Sequence, residues 1–286
     1  MKKTLLLLLI LALYHQVNAC INEYTVDAHG EKHFTEYDEF YFEPFDAKTI
    51  INRLKEIEHS LKQQYDFKLH SDYGVNLLKL GCTPEALQVF TALIQKYPNQ
   101  YSIAANLGTA YELSGKNDSA LKYIKRGVEL NPSSHFNSEW VHIKIFEAKL
   151  NKYTPEQLAN ADILKLGSVP PKKIEQKLRQ VYYQLHERMP FTPLGDALLA
   201  KVIYETAQHT SESFSLERGI LFYNIAAIYN PSLKEDAAKK IARNKQLQKR
   251  YKVKEKNTHH KIFDIAILQK HRPLKGNYNY KVYKVG

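Results

Sequence analysis

Residues 67–100 read FKLHSDYGVNLLKLGCTPEALQVFTALIQKYPNQ, and residues 101–134 read YSIAANLGTAYELSGKNDSALKYIKRGVELNPSS. Set one above the other without a gap, they align Gly74 with Gly108, Gly81 with Gly115, Ala86 with Ala120 and Pro98 with Pro132, a spacing of 34 residues. That period belongs to a two-helix hairpin that cannot bury its own apolar face and must stack on copies of itself. Gly74 or Gly108 and Ala86 or Ala120 stand where the two helices of a hairpin cross, and a small side chain lets them approach. Leu77, Tyr111 and Phe90 fill the space beside the crossing. Gly81 and Gly115 make the turns, and Pro98 and Pro132 stop the second helices. In the first repeat Thr83 reads as the N-cap of the second helix, with Pro84 at its first position.

Helical signals extend on both sides. From Asp46 to about Tyr65, Ile50, Leu54, Ile57 and Leu61 fall on one helix face. After the repeats, Ser138 to Leu150 reads as a third first-helix carrying Trp140, Val141, Ile145 and Phe146. There His142 stands where the glycines stood. Thr154-Pro155-Glu156-Gln157 is a capping box, predicting a helix through Ile163. These elements make a repeat domain over residues 46–166, bounded by a Pro-Pro linker at 167–171. Residues 172–250 read as degenerate repeats and a capping helix. Ile174, Leu178, Val181, Leu185 and Met189 lie on one face of the first helix. A pair follows at Leu194–Gln208 and Ser215–Tyr229, with a loop around His209 to Ser213 longer than the repeat requires. Gly219, Tyr223, Ala226 and Pro231 repeat the second-helix pattern, and a basic helix over Ser232–Arg250 closes the stack.

The two ends differ from this body. Lys2-Lys3, the apolar run Leu5–Leu13 and Val17-Asn18-Ala19 have the three parts of a secretory signal over residues 1–19, too short to span a bilayer. Cys20 then fits either a general peptidase cut or a loose lipobox whose cysteine carries a lipid. The expected location is the periplasm, or the envelope as an anchored lipoprotein. Residues 20–45 form an acidic aromatic arm without helical period, read as extended or irregular. At the other end, Leu233 onward holds sixteen Lys or Arg against four Asp or Glu, which accounts for the whole net charge of +11. Residues 251–286 read either as a short β-hairpin, with strands at Lys261–Leu268 and Tyr278–Val285, or as a solvated basic tail. Cys82 is the only cysteine besides Cys20, so no disulfide framework is available, and Cys82 reads as a partly buried free thiol.

The spacing and residue types of 67–134 resemble the tetratricopeptide repeat, and signal plus repeats resemble exported bacterial proteins of that class. The resemblance implies an all-α, right-handed helical solenoid of helix pairs. It also implies a concave groove lined by the first helix of each repeat, in which a peptide or protein partner lies. Carried over by position, the groove shows Lys68, Ser71, Val75 and Leu78 from the first repeat, Ser102, Ala105, Thr109 and Glu112 from the second, and Phe136, Glu139 and Ile143 from the third. Such a groove is small, mildly apolar and nearly uncharged, suited to an extended peptide. The family's best-known peptide site clamps a terminal carboxylate. Here Asn106 matches one clamp position, but Ser71, Val75, Phe136 and Trp140 occupy the others, so chaperone tails are not the expected ligand.

No zinc-type His pair, Cys-x-x-Cys, phosphate loop or Gly-x-Ser-x-Gly turn occurs. The expectation is a non-enzymatic binding module with no cofactor and no metal. Asp27, His29 and His33, and likewise His259, His260 and His271, read as solvated polar clusters because no regular element fixes their geometry. An alternative role is attachment of the basic tail to anionic lipid or polysaccharide. Export makes nucleic acid an unexpected partner.

Overall fold

The computed structural model describes residues 23–35, 42–252 and 263–279. The leader, Cys20, Phe40 and both strands' outer ends in the expected C-terminal hairpin lie outside the described residues. Within them the chain is mostly helical. Helix α1 spans Ala47–Gln63 and opens on Asp46, whose carboxylate accepts from the Thr49 N–H. It buries the Ile50, Leu54, Ile57 and Leu61 stripe. Next come α2 (Phe67–Leu80), α3 (Thr83–Lys96), α4 (Tyr101–Leu113) and α5 (Asn117–Leu130).

The matched glycines occupy matched crossings. A Cβ on Gly74 would lie 2.6 Å from the Phe90 ring, and a Cβ on Gly108 would lie 2.8 Å from Ile124. Phe90 and Ile124 are themselves 34 apart. Ala86 and Ala120 are both fully buried. The turns match as well. Gly81 donates to the Leu78 carbonyl and Cys82 to that of Leu77, and Gly115 and Lys116 repeat the pattern on Glu112 and Tyr111. Gly81 is in the left-handed region (φ 89) and lies so close to the Leu274 carbonyl that a side chain has no room. Thr83 does not cap α3. Cys82 precedes the helix, no side chain caps it, and Pro84 alone marks the start.

The second half continues with α6 (Glu139–Asn151), α7 (Pro155–Asn160), α8 (Pro171–Arg188), α9 (Ala197–Ser213), α10 (Leu216–Tyr229) and α11 (Lys234–Arg250). The Thr154 capping box is formed, but α7 ends at Asn160 rather than Ile163. The buried Glu205 of α9 draws the next backbone away, accepting from the Ile163 and Leu164 N–H groups at 3.0 and 2.9 Å. Burial pushes the Glu205 carboxyl up, while those N–H groups and Lys201 pull it down. Glu205→Ala strands two buried donors and is expected to cost about 1–3 kcal/mol in urea unfolding.

The loop expected at His209–Ser213 is instead the last turn of α9. Thr206 and Ser211 are buried, and their hydroxyls return to the Val202 and Ala207 carbonyls, so polar residues there do not mark solvent. A Cβ on Gly219 would collide with Ser211, which makes this pair's crossing tight too.

The arm is more ordered than its composition suggests. Strands β1 (Glu23–Val26) and β2 (Lys32–Thr35) form an antiparallel hairpin with Thr25 opposite His33. It docks on the α9–α10 turn, where Ala28 N–H meets the Ser211 carbonyl at 2.8 Å and Thr25 Oγ1 donates to Ser215 Oγ. In the C-terminal segment, residues expected as a strand form helix α12 (Ile265–Lys270), capped by Asp264. Residues 271–279 are neither strand nor solvated tail. Gly276 donates to the Leu80 carbonyl at 2.7 Å, and Tyr278 Oη donates to Glu58 at 3.1 Å. The arm and this strap join two hydrophobic cores. Phe42, Phe263 and Leu268 belong to the core of α6 and α8–α11. Phe45, Leu274 and Tyr278 pack on the core of α1–α4. No described helix is long and apolar enough to cross a membrane.

Candidate functional site

The predicted groove positions do not share one environment. Lys68 is exposed, and Val75, Ser102, Thr109 and Ile143 are half-buried. Ser71, Leu78, Ala105 and Glu139 are buried. Leu78 belongs to the α1–α4 core, on which Phe45 and Phe191 also pack. Ser71 accepts from Asn106 Nδ2 at 3.3 Å, tying α2 to α4. Only Phe136 stands out, with 74% of its surface exposed.

Helix α8, read from the sequence simply as one more amphipathic helix, brings side chains to these positions. Gln180 Nε2 donates to the Phe136 carbonyl at 3.1 Å, and Gln184 Nε2 to Ser138 Oγ at 3.0 Å. The Tyr183 ring meets Phe136 edge-on at 5.2 Å between centroids and stacks on His135 at 5.8 Å. At its end Arg188 reaches Glu112 of α4. The expectation of a nearly uncharged groove is therefore corrected. Glu112, its side chain 8% exposed, accepts from Arg188 and, at 2.6 Å, from Lys149. Its other oxygen lies 3.1 Å from His142 Nε2. His142 Nδ1 lies 3.2 Å from Glu139, which in turn lies 2.5 Å from His135 Nδ1. Two buried carboxylates are thus neutralised by α6, α8 and the loop before α6.

Burial opposes ionisation of Glu112, yet Arg188, His142 and Lys149 outweigh it and hold the carboxyl well below the usual range. Burial also works against Glu139, and the hydrogen bonds from His135 and His142 still bring it down to about 2. The Glu139 hydrogen bond raises His135. The signs oppose. The glutamates add stability that is present above their ordinary value of 4.5 and lost as pH falls through their lowered values. The contribution of His135 is complete below 6.5 and lost as pH rises through its raised value. Urea midpoints are expected to fall as pH drops below 4.5 toward about 2, and Glu139→Gln is expected to flatten that acid limb.

The loop feeding this array is strained. His135, Phe136 and Asn137 are consecutive left-handed residues, with φ of 48, 57 and 59. Asn and His tolerate that region better than a bulky residue such as Phe136. The turn is clamped by the Gln180 bond, by His135–Glu139 and by Ser138 Oγ donating to the His135 carbonyl.

Elsewhere, Asp27, Glu31 and His33 place ligand-type atoms within 4.8 Å of one another. The β-hairpin supplies the regular element that the sequence did not reveal. Asp27 is already engaged, by His33 Nε2 at 2.9 Å and by the N–H groups of His29 and Glu31, as a turn tether. His271 is separately buried against Phe42. Cys82 is a buried free thiol, raised by burial, that donates to the Gly276 carbonyl at 3.5 Å. Two open depressions, of about 610 and 410 Å³, lie beside Tyr65 and Tyr97 and beside Leu87 and Tyr111, and none of the predicted groove residues lines either. No protein-family model matches the chain, and no curated protein matches it.

Proposed function

We propose that this protein is a non-enzymatic scaffold of tetratricopeptide-like helix pairs, exported to the bacterial envelope, that holds an extended segment of a protein partner. The observation that carries this reading is the pair of matched crossings, Gly74 on Phe90 and Gly108 on Ile124, joined by turns with the same hydrogen bonds. Hairpins that nest alike stack into a curved array with its first helices inward. The accessible part of that inner face is Lys68, Val75, Ser102, Thr109, Phe136, Ile143 and the α8 residue Tyr183, because the rest is buried or ion-paired. Ligands are peptides selected from a displayed random library on the full-length mature protein. Ser102→Arg places a long charged chain at a half-buried inner position and is expected to weaken them at least about tenfold. Ala105 is unsuited to this test because it is buried. Peptides whose affinity ignores both Ser102→Arg and Phe136→Ala contradict the reading.

A second reading, attachment to an anionic envelope surface, draws on one observation: Lys239, Arg243, Lys245, Lys249 and Arg250 of α11 and Lys270, Arg272 and Lys275 of the strap are all exposed. Truncation would remove strap residues that both cores use, so charge reversal is the cleaner test. Lys239→Glu with Lys245→Glu and Lys249→Glu is expected to abolish salt-sensitive binding to vesicles containing anionic lipid. Unchanged binding excludes α11.

A further inference from the structure

The Phe136 turn is costly, and beyond one edge-on contact with Tyr183 the ring returns little of that cost to folding. A bulky residue in the left-handed region costs about 1–2 kcal/mol of backbone strain. Its ring is then left 74% exposed, so it contributes little to the core. Glycine or asparagine would satisfy the same backbone at less cost. Strain that the surroundings enforce, combined with an aromatic held out in solvent, is the pattern of a binding anchor.

The neighbours indicate what it binds. Phe136 and Tyr183 stand 68° apart with centroids at 5.2 Å, two walls of a corner whose ring faces are electron-rich. One helical turn beyond Tyr183, Glu187 is exposed and forms no ion pair among the described residues. The other carboxylates of the region, Glu112 and Glu139, are already paired. An apolar guest would satisfy the rings and leave Glu187 facing only the charge of His135, with no ion pair of its own among the described residues. An alkylammonium or guanidinium satisfies both.

Resting on the groove reading above, we infer that the corner formed by Phe136 and Tyr183, with Glu187 at its edge, accepts the Lys or Arg side chain of the peptide held in the groove.

The test uses full-length, isotope-labelled protein titrated with N-acetyl-lysine methylamide and, in parallel, N-acetyl-norleucine methylamide, which has the same chain without the charge. The lysine probe is expected to shift amides of residues 135–139 and 183–187 saturably. The norleucine probe should bind about fivefold more weakly or worse, a ratio matching about 1 kcal/mol of cation–π attraction. Glu187→Gln and Phe136→Ala should each bring the lysine probe down to the norleucine level. Equal affinities, or a lysine response untouched by Glu187→Gln, overturn the inference. Phe136→Gly supplies an independent arm: it should raise the urea midpoint while abolishing the probe response, and a lowered midpoint would show that Phe136 serves folding instead. Library peptides blocked by Ser102→Arg but showing no Lys or Arg preference would sink this inference and leave the groove standing. Peptides indifferent to Ser102→Arg would sink the groove.

Discussion

Arg188→Met is expected to destabilise the protein by about 2–4 kcal/mol, because it takes from the buried Glu112 carboxylate one of its cationic partners. Lys149 and His142 remain, but Arg188 is the largest of the attractive influences on Glu112. The loss should appear in urea unfolding at neutral pH as a lower midpoint with an unchanged slope. Adding Glu112→Gln removes the stranded charge and should restore much of the stability. A single-variant cost below about 1 kcal/mol would mean the pair is hydrated and α8 is not held against α4 by this bond.

Gly74→Leu is expected to cost more than 3 kcal/mol, and Gly108→Leu nearly as much. Overpacking of a core by extra methylenes already costs about 1–3 kcal/mol, and here the first added atom would sit 2.6 Å from a ring that is completely buried. Gly115 is the internal control. Nothing lies within 4 Å of its Cβ position, so Gly115→Ala should show only the backbone cost of φ 78, about 1–2 kcal/mol. Pairing Gly74→Ala with Phe90→Leu should recover part of the loss, since the smaller side chain gives the methyl room. Equal costs at positions 74 and 115 would show that helix crossing is not what those glycines serve.

The helical body was legible because its signals are local and periodic. Ile50, Leu54, Ile57 and Leu61 are all buried as their spacing predicts, the paired glycines lie against Phe90 and Ile124 of the following helices, and the paired alanines are fully buried. What was not legible depends on partners distant in sequence. Nothing local in the sequence sets Arg188 apart until Glu112, 76 positions earlier, is beside it. Thr210 and Ser211 read as loop chemistry because a hydroxyl that bonds back to the helix, as Ser211 does, or to Tyr182, as Thr210 does, leaves no mark in composition. The hairpin and the strap escape for the same reason. Their aromatics, Phe42 and Phe263 among them, are buried by each other and by both helical cores rather than by any period of their own. For the proposed groove, the sequence named Phe136, Glu139 and Glu112 but not Tyr183, Glu187 or Arg188, since nothing in the repeat says that α8 comes to lie beside these positions. The left-handed turn at 135–137 contains no glycine to announce it.

One measurement addresses the groove most directly. A photo-reactive phenylalanine analogue is placed at the half-buried Ser102 of α4, on the proposed inner face, and, separately, at the exposed Gln95 of α3, and the full-length protein is irradiated in cells. The account predicts a discrete protein adduct from position 102 that disappears with Phe136→Ala, and none from position 95. Adducts from 95 with none from 102 would contradict it.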